Sequence, residues 1–195
     1  MSKAIGCGLA ILGVVLLVAF LVGGIYNNLV GLQEGVDAAW AQVENVYQRR
    51  ADLIPNLVST VKGAADFEQE TLQNVIEARA KIAQPNIQGS PTPEQMEAFQ
   101  ANQDALSSAL SRLLVVVERY PELQAVQAFR DFQVQLEGTE NRIAVERNRY
   151  NEVAREYNTA RRRFPAVIVA NIFGFEEKGY FEAAPGSDEA PVVEF

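Results

Sequence analysis

Histidine is absent from all 195 residues, and cysteine occurs once. The first absence removes the side chain best suited to proton transfer near neutral pH and the commonest nitrogen ligand for metals. The second excludes an intrachain disulfide and any paired-thiol motif, and Cys7 itself stands inside an apolar run. No glycine-rich phosphate loop follows a strand-like pattern. The 25 Asp and Glu side chains could supply a carboxylate pair, but on a helical chain so many acids read as solvated surface. We therefore expect no enzyme, no catalytic residue, no metal and no cofactor. Basic residues are also missing between Lys3 and Arg49, which bears on topology.

What the chain does have is apolar length. Residues 4–25, AIGCGLAILGVVLLVAFLVGGI, carry no charge. At 1.5 Å per residue such a run forms a helix of about 33 Å, matching a hydrocarbon core of about 30 Å. A single transmembrane helix is expected. A cleaved signal peptide is the alternative, but the run is longer than the usual apolar region of such peptides and no Ala-x-Ala site closes it. A lipid-modified Cys7 fits less well, because that cysteine opens the run instead of following it. Lys3 precedes the span while Glu34, Asp37 and Glu44 follow it, so the N-terminus is expected in the cytoplasm and the main domain in the periplasm or outside. Beyond the span, sixteen basic residues face twenty-five acidic ones, a net charge of −9. That field attracts neither nucleic acid nor anionic lipid, leaving residues 4–25 as the expected lipid contact.

The rest reads as a bundle of long antiparallel helices, an all-α architecture with coiled-coil-like seams. Val36, Trp40, Val43, Tyr47, Ile54, Leu57 and Val61 alternate in steps of three and four, with Arg50 in the one polar seam position. Helices are expected at 40–84, 93–119, 121–136 and 139–163, with a bend at Pro55, a loop at 85–93, and Thr92 and Pro93 as the cap and first turn of the second. In the last helix Ile143, Tyr150, Tyr157 and Phe164 recur every seven residues, beside a row of Glu140, Arg147, Ala154 and Arg161. Its acids and arginines interleave, so no one-signed surface for nucleic acid develops. Arg50, Glu140 and Arg147 interrupt apolar seams, and a buried charge needs a partner, so Arg50 is expected near Glu140 in a polar layer. Snorkelling to solvent and a ligand pocket are the alternatives. The apolar run 166–173 is too short to span a membrane and reads as a tail folded over the bundle's end. The layout is therefore a short end at 1–3, a transmembrane helix at 4–25, a juxtamembrane segment at 26–38, a bundle at 39–183 and an acidic flexible tail at 184–195.

The blocks AWAQVENVYQRRADLIPNLVSTVKGAADFEQETLQNVIEARA (39–80), RYPELQAVQAF (119–129), GTENRIAVERNRYNEVAREYNTARRRFP (138–165) and FGFEEKGYFEA (173–183), in this order, resemble the LemA family of bacterial membrane-anchored proteins. The resemblance implies a transmembrane helix followed by a helical bundle, no enzymatic activity, and links to envelope maintenance and to membrane proteases. Its signature positions here are Arg49, Arg50, Asp52, Pro55, Asn56, Glu140, Asn141, Arg142, Arg147, Tyr150, Asn151, Tyr157 and Asn158. A structural or adaptor protein is expected, with a module binding peptide, lipid or envelope polymer, or a regulator of a membrane protease, as alternatives. Gly6, Ala10, Gly13, Ala19 and Gly23 allow close approach of spans, so a homo-oligomer is expected.

Overall fold

The computed structural model describes residues 2–63, 68–82, 87 and 89–182, and all regular structure among them is helical. The tail at 184–195 and residues 85, 86 and 88 of the proline-rich loop lie outside the described residues. Helix α1 runs unbroken over Ser2–Lys62, 61 residues and roughly 92 Å. It contains an apolar window of mean hydropathy 2.8, none of it buried, long enough to cross a membrane. The same helix enters the bundle without a break at Gly31 or Gly35, because its seam becomes buried from Leu29 onward.

The expected helix over 40–84 is instead two. α1 ends at Lys62, with Gly63 closing a tight turn onto the Thr60 carbonyl, and α2 covers Gln69–Ile82. Glycine costs a helix interior about 1 kcal/mol relative to alanine, and a reversal here lets α2 fold back along α1. Pro55 stays inside α1 and leaves the Ala51 carbonyl without its usual donor. Arg79 of α2 fills the gap, its Nε donating to that carbonyl at 3.2 Å. The proline thus creates a docking point for the returning helix.

α3 covers Pro93–Val117, and Thr92 closes a capping box with Gln95. Pro121 drives Tyr120 out of helical geometry and ends this run. The expected pair 121–136 and 139–163 is divided differently. α4 is a single turn, Pro121–Ala125, and α5 runs continuously over Gln127–Arg162. Gly138 does not interrupt α5, because Phe129 and Phe132 on one side and Thr139 and Ile143 on the other are all held in the core. α6, Ala166–Phe173, follows after Pro165 and ends at Gly174 in the left-handed region. It packs against α1 and α5, while α1 pairs with α5 and α2 with α3.

The interior has two apolar cores. The distal one gathers Ile54, Leu57 and Val61 with Leu106, Leu110, Leu113, Val117, Phe129 and Phe132. The proximal one, nearer the span, gathers Leu29, Trp40, Val43 and Tyr47 with Phe99, Tyr150, Tyr157, Phe175 and Phe181.

Candidate functional site

Arg50 lies at the level between the two cores. Its side chain is only 2% exposed, and Nη1 lies 2.9 Å from Glu140 Oε1, whose side chain is 44% exposed. The guanidinium also donates to Ser107 Oγ at 3.0 Å, to Gln103 Oε1 at 2.6 Å and to the Gln103 carbonyl at 3.3 Å. One side chain of α1 therefore joins α3 to α5, and only its Nε goes without a partner among the described residues. The planar fork of arginine suits this role, since its donors point in fixed directions.

A second polar constellation occupies the face of α5 that runs on toward the span. Past Gly174 the chain turns back over the bundle as a strap, residues 175–182, and α5 holds it by the backbone. Asn151 donates to the Phe181 carbonyl and accepts the Phe181 amide, both at 2.9 Å. Asn158 does the same for Lys178, at 2.8 and 3.0 Å. A carboxamide carries one acceptor and a donor side by side, so each asparagine satisfies a whole peptide residue. Arg161 Nε donates to the Phe175 carbonyl at 2.7 Å, Tyr157 to that of Glu176 at 2.9 Å, and Arg147 to that of Glu182 at 2.7 Å. Gln100 of α3 pairs with Glu182 from the other side.

The strap reaches the first helix as well. Lys178, buried, donates through Nζ to the Ser90 carbonyl at 3.4 Å. Ser90 gives its amide and hydroxyl to Asp37 of α1 at 2.8 and 2.6 Å. Gly179 donates to the Pro91 carbonyl at 3.0 Å, and a Cβ there would lie 2.6 Å from the Met96 Cβ. Phe181 places its ring among Trp40, Tyr47, Phe99 and Tyr150, with the Arg147 guanidinium 4.7 Å from its centroid. Burial pushes the Tyr47 and Tyr150 phenols up, and that of Tyr157 to about 12. Tyr157, protonated, serves as a donor, while Tyr47 and Tyr150 supply ring surface, the Tyr150 hydroxyl being buried with no partner among the described residues.

The signature positions thus separate. Arg50 and Glu140 meet in the layer, while Arg147, Tyr150, Asn151, Tyr157 and Asn158 meet at the strap. Asp52 accepts from Gln48 at 2.8 Å on the surface, and the Asn56 carbonyl accepts from Ser59 and Thr60. Arg49, Asn141 and Arg142 are exposed, with no partner among the described residues. Gln103, Ser107, Gln100, Lys178 and Gly179 were not singled out from the sequence. Gln103 was visible as a polar residue in an apolar seam; Ser107 becomes visible only once Arg50 is placed against α3, and Gln100, Lys178 and Gly179 only once the strap is in place.

No group of His, Cys, Asp or Glu that could hold a metal occurs among the described residues. A half-open groove of about 650 Å³ lies between α3 and the strap, and its rim carries Glu94, Glu97, Asp104 and Glu177.

A family model described as the LemA family matches residues 39–195. The chain belongs to the LemA family. It is similar to the magnetosome protein MamQ 2 of Paramagnetospirillum magneticum, 28% identical over 95% of this chain and 74% of the relative. The magnetosome protein MamQ of Magnetospirillum gryphiswaldense is 27% identical over 86% of this chain and 68% of its own. Protein LemA of Metamycoplasma hominis is 22% identical over 85% and 72%. This LemA-family protein is accordingly a membrane-anchored, non-enzymatic helical protein.

Proposed function

We propose that this LemA-family protein is a self-associating scaffold or adaptor, its bundle held outside the cytoplasm by the single span. The observation that carries the reading is where the polar side chains go. Arg50, Glu140, Arg147, Asn151, Tyr157 and Asn158 all bond within the chain, tying helices and strap together. They build a rigid body instead of converging on an open pocket. Self-association is supported by Gly6, Gly13 and Gly23, around which the backbone of α1 is open for a second helix to approach. The outward orientation is supported by Lys3 and by the absence of basic residues from there to Arg49.

The test is native purification of the full-length chain in gentle detergent, with mass measurement and identification of whatever accompanies it. A homogeneous particle of several copies is expected. A lone monomer at membrane-like concentration overturns self-association, and a co-purifying protease or transporter identifies the adaptor's client. Protease added to spheroplasts should digest the bundle, and protection from it overturns the orientation. A second reading, a module for a peptide or envelope polymer, is favoured by the acid-rimmed groove beside the strap. It predicts a basic ligand whose binding is lost on substituting Glu97 and Asp104.

A further inference from the structure

The short helix α6 has two apolar faces and only one of them is used. Its sequence, AVIVANIF, contains a single polar side chain, Asn171. Val169 and Ala170 are buried against the bundle. Ile168 and Ile172 are 51% and 71% exposed, and Phe164, in the link between α5 and α6, is 81% exposed. Ile168 and Ile172, four apart within α6, share one side of the helix, and Phe164 lies exposed just before it. A helix apolar on all sides but one residue belongs in a core or at a lipid boundary, where exposed Asn171 can reach the headgroups.

Its position says which. The Phe173 ring stacks edge-on against Tyr26 at 5.0 Å between centroids, and Phe175 does so at 5.5 Å. Tyr26 is the first residue past the apolar run of the span, 4–25. Ile25 and Leu29 of α1 share the proximal core with Ala170 and Phe175. Because α1 is one continuous helix, depth along it is fixed, and α6 sits where the span leaves the bilayer. Aromatic side chains favour this level. Arg162 and Arg163 stand exposed at the same end, whereas Arg161 is engaged with Phe175 and Glu177. Arg162 spends its Nε on the Asn158 carbonyl at 3.3 Å, and Arg163 lines a groove with Glu152, Arg155 and Glu156, so neither guanidinium is ion-paired among the described residues and both remain exposed for a lipid phosphate.

We propose that α6 lies in the boundary between headgroups and acyl chains of the same bilayer that α1 crosses, with Phe164, Ile168 and Ile172 facing the lipid. Arg162 and Arg163 face its phosphates. The protein then touches lipid at two places, the span and α6, and the bundle stands on the membrane at a fixed angle instead of swinging from a tether. The inference needs only the anchoring of α1, and holds for a monomer or an oligomer.

The chain offers an internal reference for the test. Its one tryptophan, Trp40, is buried in α1 and lies roughly 21 Å along the helix beyond Tyr26. Full-length protein carrying Ile168→Trp, and separately Ile172→Trp, is reconstituted into vesicles of three parts phosphatidylcholine to one part phosphatidylglycerol. The phosphatidylcholine carries bromine on its acyl chains or does not. A face sunk about 5–10 Å into the boundary brings the added indole beside the brominated carbons, so roughly half or more of its emission should be lost while the Trp40 emission of the parent persists. Both positions are exposed, and circular dichroism confirms that each variant keeps its helix. Added emission that is unquenched and red-shifted places the face in water; unquenched and blue-shifted emission places it against protein, such as a second copy. Either result overturns the proposal. Quenching should be deeper than in pure phosphatidylcholine, with the difference removed by Arg162→Gln with Arg163→Gln. Equal quenching in both vesicles overturns the part assigned to the arginines.

Discussion

Between Ile54 and Val61, α1 shares its core with Leu106, Leu110, Leu113 and Val117, aliphatic side chains from a neighbouring helix. Between Trp40 and Tyr47 it meets the rings of Phe99, Tyr150 and Phe181, the last of them supplied by the strap. The distal half is closed by helices alone, whose backbones satisfy themselves. The proximal half is closed by a segment without regular structure, whose peptide groups would be orphaned without Asn151, Asn158, Tyr157 and Arg161. Arg50 stands between the two. The difference explains why polar side chains crowd one helix of an otherwise ordinary bundle: they are the hydrogen-bond partners of a strap, near the membrane.

The largest effect should come from removing the boundary itself. Arg50→Ala strands Gln103 and Glu140 and opens a void, at a cost of about 3 kcal/mol in denaturant unfolding. Glu140→Gln should cost about 1 kcal/mol, because that carboxylate is half in water. A double-mutant cycle should show coupling between the two, and its absence breaks the layer as the link between halves. Gly179→Ala comes next. A methyl group 2.6 Å from the Met96 Cβ must push the strap off α3, for about 1–3 kcal/mol, read as a lower Tm.

The mildest probe is pH. The three phenols of the proximal core, Tyr47, Tyr150 and Tyr157, are all pushed up by burial; for Tyr157, Arg161 opposes the shift while Asp37 and Glu176 add to it. Below about pH 10 the phenols of neither the folded nor the unfolded chain ionise, and their contribution is whole. Above it the unfolded chain loses protons first, so stability falls as pH rises toward the folded-state value of Tyr157, about 12. Tm should decline over that window, and Tyr157→Phe should flatten the decline. An unchanged slope breaks the assignment to this phenol.

Much of this was legible in the chain. The alternation of three and four from Val36 to Val61 located the buried face of α1, and Thr92 with Pro93 located the start of α3. Reversals were harder. Gly63 ends α1 while Gly138 is carried through α5, because core side chains flank the second on both sides and packing, not propensity, decides. The strap could not be read from periodicity, as it has none. Its spacing nevertheless matches: asparagines seven apart on a helix are about 10 Å apart, as are residues three apart in drawn-out chain, here Lys178 and Phe181. Two-sided apolarity of α6 was readable too, but only its contact with Tyr26 places it at the membrane.

Hydrogen exchange on the full-length protein in lipid nanodiscs, comparing the parent with Asn158→Leu, tests most directly whether the proximal half depends on its polar clasp. The substitution removes both bonds to Lys178 and leaves its amide and carbonyl unpaired. Protection should fall at residues 175–182 and along 36–47 of α1, with 54–61 and 106–117 unchanged. A uniform loss of protection, or none at the strap, would contradict a bundle whose two halves are closed by different means.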